Sequence, residues 1–357
     1  VYAISLFYKK PVKRTYPYPT VSVLMSVYNE ERNIEKKIQS LFELDYPEPR
    51  IEILIGSDGS TDGTDKKIEG VTVSAKSIRF FKHKQRMGKP SILNLLAKEA
   101  KGELLVFTDA RQRLDKSSVD ELVKNFADPK VGSVSAELHF EGNGTKTSDG
   151  MGLYWNYEKF IRKSESKIGS MCGATGALYC IRRELFTQLP EDLILDDVYL
   201  PMKIVENGYR AIFDKNAKIY DHYSEDAGEE FLRKSRTLAG NFQIFAYLSW
   251  LANPFKSMVS WQFISHKFLR LIAPYLLAAV FIVNFYLRNS GNLYQLTLFL
   301  QIAFYAFAFC GAFFKHKNRF FDAAYLFCVL NFAAVIGLYR FITKNQDVLW
   351  EKRQEKE

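Results

Sequence analysis

Cysteine is scarce: Cys172, Cys180, Cys310 and Cys328 are the only four in 357 residues, and no two stand in a CxxC pair. That spacing excludes a disulfide framework and a cysteine-built zinc site. A continuous basic tract is missing too, although the formal net charge is +9, and no zinc-finger or RNA-binding motif accompanies the scattered lysines and arginines. Nucleic acid is therefore not an expected partner. There is no Walker A loop, because Arg86-Met87-Gly88-Lys89 lacks the spaced glycine and the Ser or Thr after the lysine. The first residue is not methionine; Val1 to Tyr8, ahead of Lys9 and Lys10, reads as the end of a transmembrane helix cut short.

What is there falls into two solvents. Charged residues crowd the first two thirds, whereas aromatic and aliphatic residues dominate after Phe268. Phe268 to Leu287, Leu293 to Phe314 and Phe320 to Phe341 are each long enough to cross a bilayer core. Phe231 to Ser249 mixes basic residues with Phe242, Ile244, Phe245, Tyr247 and Leu248, ahead of Pro254, as helices at a membrane surface do. Lys9, Lys10, Lys13 and Arg14, and the Lys315, Lys317, Arg319 connection, satisfy the positive-inside rule if the polar part is cytoplasmic. The expected organisation is an N-terminal helix end at 1–14, a cytoplasmic domain at 15–228, interface helices at 229–266, three transmembrane helices at 267–342 and a charged tail at 343–357. The expected location is a cell membrane, with lipids as partners.

In the polar part, β-branched runs alternate with helical spacing. Thr20 to Val27, Ile51 to Ile55, Ile78 to Phe81, Leu104 to Phe107 and Val131 to Phe140 read as strands. Between them, Ile34, Ile38, Leu41 and Phe42 mark one helix, and Ile92, Leu93, Leu96 and Ala97 another. A further helix is expected around Asp65 to Glu69, a polar loop at Glu141 to Asp149, and helices at Met151 to Ser166 and Val198 to Val205. Such alternation implies a parallel sheet covered on both faces, with ligands beyond the carboxyl ends of the strands. Tyr28, Asp58 and Asp109 fall at those ends. The glycosylation sequon Asn143-Gly144-Thr145 is expected to stay unmodified in a cytoplasmic domain.

The order of the acidic and basic clusters resembles the membrane-bound processive branch of family 2 glycosyltransferases, which includes hyaluronan, cellulose, chitin and poly-N-acetylglucosamine synthases. The resemblance implies an α/β GT-A fold, Rossmann-like with a mostly parallel sheet, plus interfacial helices and a C-terminal α-helical transmembrane region. It also implies a UDP-sugar donor, Mg²⁺ or Mn²⁺, and inversion at the anomeric carbon. Tyr28-Asn29-Glu30 then borders the base and ribose through Tyr28 and Glu30, with Asn29 as a helix cap in the bland alternative. Asp58 lies against the base, while Asp62 caps its own turn. Lys89 approaches the diphosphate. Phe107-Thr108-Asp109-Ala110-Arg111 occupies the place of the DxD motif; Asp109 is the metal and nucleotide carboxylate, His222 is an additional candidate ligand, and Arg111 stands where the second aspartate belongs.

By the same resemblance Asp197 of Ile194-Leu195-Asp196-Asp197 is the general base, and Asp196 either tunes it or caps the next helix. Arg236 of Arg233-Lys234-Ser235-Arg236-Thr237 matches the arginine of Gln-x-x-Arg-Trp, whose glutamine and tryptophan are absent. Thr175 and Gly176, in Met171-Cys172-Gly173-Ala174-Thr175-Gly176, floor the acceptor site together with Asp196. The leading expectation is inverting transfer of sugar from a UDP-sugar to a growing polysaccharide. Single transfer to a lipid, a polyprenyl phosphate or a sphingolipid, stays open because of the missing tryptophan. A nucleotide-sugar-binding scaffold without turnover stays open because of Arg111.

Overall fold

A computed structural model describes residues 1–14, 18–72, 77–141, 146–222, 227–313, 319–345 and 349. Apolar runs become the largely buried strands β1 (Val21–Val27), β2 (Ile51–Asp58) and β4 (Leu104–Thr108), and β3 (Ile78–His83) joins them with Ile78 buried and the rest partly open to solvent. Four further strands follow: β5 (Arg113–Leu114), β6 (Val131–Glu141), β7 (Leu178–Arg182) and β8 (Arg210–His222). All eight form one sheet in the order β3-β2-β1-β4-β7-β6-β8-β5. Pairing is parallel from β3 through β4 and between β6 and β8, but β7 runs antiparallel to both β4 and β6. Leu24, Leu54, Val106 and Cys180 are inaccessible to solvent, as strands covered on both faces require.

Helices α1 (Tyr2–Phe7), α2 (Ile34–Phe42), α3 (Thr64–Thr72), α4 (Lys89–Glu99), α5 (Ser118–Lys124), α6 (Lys146–Ile168) and α7 (Asp196–Glu206) join these strands or flank them. On α2 the expected stripe of Ile34, Ile38, Leu41 and Phe42 is rotated. Phe42 is exposed, and Lys37 takes a place among the buried residues instead. At about 100° per residue, position 37 lies closer to the axis of the Ile34, Ile38, Leu41 stripe than position 42 does. The loop expected at Glu141 to Asp149 is cut short, because α6 begins at Lys146. The sequon at 143–145 lies outside the described residues, as does most of the Lys315 to Arg319 connection.

The chain divides into two compact units: Val1–Gly142, Glu158–His222 and Asp347–Glu357 form one, and Asn143–Tyr157 with Tyr223–Gln346 form the other. In the second unit α8 (Ala227–Tyr247) is followed by α9 (Met258–Phe263), which continues through a π-helical turn at Ile264–Phe268 into α10 (Leu269–Leu287). Then come α11 (Asn292–Phe313) and α12 (Arg319–Thr343). Met258–Leu287, Asn292–Ala312 and Ala323–Thr343 are long and apolar enough to cross a membrane. Helix α8 sets Leu238 against Leu271, Ala333 and Ala334, with Phe231, Phe242 and Phe245 around them. Phe231 stacks on Phe332 and Phe242 on Phe341, at centroid separations of 6.2 and 6.0 Å. A methyl group on Gly337 would come within 3.0 Å of the Ala239 nitrogen, so here α8 and α12 meet backbone to backbone.

Candidate active site

The carboxyl ends of β1, β2 and β4 lie side by side, because Val27 pairs with Ser57 and Leu24 with Phe107. Tyr28, Asp58 and Asp109 therefore share one edge. Asn29, at φ 52°, does not cap α2; its Oδ1 accepts the Thr61 N–H at 2.8 Å and ties the β1 end to the turn after β2. In that turn the Thr64 N–H donates to Asp62 Oδ1 at 3.0 Å, as capping requires. Glu30 Oε2 accepts from Asn33 Nδ2 at 2.8 Å. Tyr28 offers a ring, and the Arg86 guanidinium lies 3.7 Å from its centroid, in cation–π contact.

Asp58 is buried, and its Oδ1 accepts the Met87 N–H at 2.6 Å while its Oδ2 accepts the Gly88 N–H at 3.1 Å. This carboxylate shapes the loop before α4. Gly88 serves there at φ 87°, a conformation that side-chain-bearing residues seldom adopt. The loop delivers Lys89 to the centre of the edge: its Nζ lies 2.9 Å from Asp109 Oδ1 and 3.2 Å from Asp196 Oδ1. Burial opposes the charge on Lys89, but Asp109, Asp196 and Asp197 outweigh it and hold the ammonium above its ordinary range. Asp196, the first residue of α7, also accepts the Tyr179 hydroxyl at 2.8 Å. Burial first, then Asp196, keeps that phenol protonated well past its usual pKa.

Asp197 follows on the first turn of α7, and its carbonyl accepts the Ala174 N–H at 2.7 Å. A Cβ built on Gly176 would stand 3.1 Å from Asp197 Oδ2, so glycine leaves the space that this carboxylate uses. Thr175 is held from two sides: its N–H donates to Ser135 Oγ at 2.8 Å, and its hydroxyl accepts from Arg162 at 2.5 Å. Arg236 belongs to α8 in the second unit.

Arg111 turns to Asp221, whose Oδ2 also accepts from Gln112 Nε2 at 3.0 Å. His222 places Nδ1 3.3 Å from the Glu141 carbonyl. Among the described residues no group of three or more His, Cys, Asp or Glu could hold a metal ion. The side chains here do not fit a centre for Mg²⁺ or Mn²⁺ built from protein ligands. Asp109 has an ammonium at its Oδ1, and the second position of the motif is a cation.

Four contributors escape sequence reasoning: Arg86, Tyr179, Arg162 and Lys37. Arg86, two residues before Gly88, carried a signal, whereas Lys37, three residues after Ile34, reads as solvent-facing by its charge. Tyr179 and Arg162 act through pairings that spacing does not disclose.

Residues 22–189 match the sequence profile of glycosyl transferase family 2. Over those residues the chain is similar to family 2 glycosyltransferases. A poly-β-1,6-N-acetyl-D-glucosamine synthase of Staphylococcus epidermidis is 22% identical over 64% of this chain and 56% of its own length. A β-monoglucosyldiacylglycerol synthase of Synechocystis is 22% identical over 66% of this chain and 51% of its own. The chain thus spans about half the length of these relatives. Among solved structures, the mannosyltransferase PcManGT of Pyrobaculum calidifontis, in complex with GDP-Man and Mn²⁺, superposes with a TM-score of 0.75, at 23% identity over 96% of this chain and 94% of that one. The fold is GT-A, a mixed sheet dominated by parallel pairing, followed by three apolar helices that could cross a membrane.

Proposed function

We propose that this protein is an inverting membrane glycosyltransferase that moves a sugar from a nucleoside-diphosphate sugar, UDP-linked by the motif resemblance, onto a hydroxyl of a growing polysaccharide. The observation that carries this reading is the convergence on Lys89 of Asp109 from the end of β4 and Asp196 from the start of α7, with Asp197 beside the space at Gly176. A diphosphate in that place meets a compact ammonium, and an acceptor hydroxyl there meets a carboxylate.

Asp197 takes the acceptor proton as the acceptor oxygen bonds to the anomeric carbon. The bond from that carbon to the phosphate oxygen breaks on the opposite face, and its electron pair leaves with the nucleoside diphosphate. Lys89 stabilises the charge that develops on the leaving group. Asp196 cannot share the base role, because the Tyr179 hydroxyl and Lys89 occupy its two oxygens. Tyr28 and Arg86 give the base a flat, cationic neighbour, Glu30 serves the ribose, and Asp58 holds the loop that presents Lys89. Thr175 and Gly176 floor the acceptor side. Arg236 is assigned to the diphosphate on sequence order alone. The distribution of basic residues supports a cytoplasmic catalytic unit.

Single transfer to a lipid is the second reading. Thr237 following Arg236 favours it, since a residue that stacks on a polymer end is missing there. By their names, one of the two relatives above makes a glucosylated diacylglycerol and the other a polysaccharide. The test is to incubate protein in nanodiscs with UDP- and GDP-sugars, follow nucleotide release and size the products. A ladder supports polymer synthesis, one sugar on co-purified lipid supports the second reading, and no release from any donor overturns both.

A further inference from the structure

Lys37 has no part in the chemistry proposed above, yet it is 2% exposed and sits on α2 among Ile34, Ile38 and Leu41. Its Nζ donates to Thr108 Oγ1 at 2.7 Å and to the Gln112 carbonyl at 2.9 Å. Those acceptors lie on either side of the turn that carries Asp109 and Arg111. The Thr108 hydroxyl passes the connection on, donating to the Ala177 carbonyl at 2.9 Å, and the Asp109 N–H reaches that carbonyl at 3.4 Å. Ala177 follows the glycine that leaves room for Asp197. One side chain thus ties both ends of the donor turn, and through Thr108 the acceptor loop, to the helix behind the sheet.

We propose that Lys37 is a positioning residue that pins the Asp109 turn from behind and holds Asp109 where it meets Lys89 and the donor diphosphate. This rests on the donor reading above. A methionine would fill the same stripe without the cost of dehydrating an ammonium. What methionine cannot supply is a pair of charge-assisted hydrogen bonds spanning the turn. Burial pushes the Lys37 pKa down to about 7, and the field of Asp109 pulls the other way, so the lysine senses the carboxylate that it positions.

The test uses the full chain in nanodiscs, comparing wild type with Lys37→Met and Thr108→Val. Three readings are taken: hydrogen exchange over residues 108–112 and 175–178, affinity for UDP and GDP, and the thermal midpoint. Lys37→Met is expected to exchange faster in those two segments and to bind nucleotide about tenfold more weakly, the size of one lost hydrogen bond to a charged group. Thr108→Val, which keeps the lysine, is expected to move both readings the same way by less, and it decides the matter if Lys37→Met does not fold. A mere packing peg would lower the midpoint and leave the folded protein's affinity unchanged. Wild-type exchange in the 108–112 segment of either folded variant overturns the proposal. If wild type binds neither nucleotide, the donor reading fails, and the exchange comparison still judges the pin.

Discussion

Partly exposed, Lys89 stands between the carboxylates of Asp109 and Asp196, whereas Lys37 is sealed inside the helix–sheet layer against a hydroxyl and a carbonyl. The two lysines flank one short turn, and their surroundings drive them in opposite directions. Two anions hold the charge on Lys89, while burial lowers the pKa of Lys37 to about 7. The contrast separates two uses of a lysine. A cation with paired anions is stable enough to wait for a phosphate, and a cation with neutral partners is a fastener whose cost the fold must bear.

The widest way to sharpen this contrast is to spare both lysines and remove the proposed base. Asp197→Asn should lower turnover by about a thousandfold while leaving nucleotide affinity near wild type, read as nucleotide release against equilibrium binding. Lys89→Met comes next. It should cut kcat/KM about a hundredfold, as loss of one charge-stabilising donor does, and weaken UDP binding too. On the buried side, Lys37→Met should change how stability responds to pH. In wild type the folded protein releases the Lys37 proton near pH 7, and the unfolded chain keeps it until about 10.5. Between those values the unfolded state binds more protons, so wild type gains stability as pH rises, by at most about 1.4 kcal/mol per unit. Denaturation midpoints of Lys37→Met should lack that rise. Smallest is Gly176→Ala, which must push Asp197 by a few tenths of an ångström and should lower kcat a few-fold with little change in stability.

The parallel half of the sheet was legible because each of its strands is a short apolar run that ends in a polar turn, and Tyr28, Asp58 and Asp109 mark those ends. The three apolar helices were legible from length alone. Strand β5 has two residues and no periodicity to detect, and the antiparallel insertion of β7 between β4 and β6 depends on pairing that a linear pattern does not encode. In the site, residue types suggested Lys89 and the Asp196-Asp197 pair. That Tyr179 occupies one of those aspartates, or that Asp58 is bound to the backbone of Met87 and Gly88, follows from contacts between distant segments. Lys37 was hidden by its own chemistry, since a lysine in an apolar stripe is ordinarily assigned to solvent.

The backbone contact at Gly337 bears on how this protein can be handled. Cutting the chain before Met258 to obtain a water-soluble fragment would strip Leu238, Phe242 and Phe245 of the partners that α10 and α12 supply, and leave the segment bearing Arg236 with a greasy flank open to water. Such a fragment should aggregate through α8 even if its sheet is intact. Helix α8 and the apolar helices that cover it are best purified, crystallised and engineered as one piece.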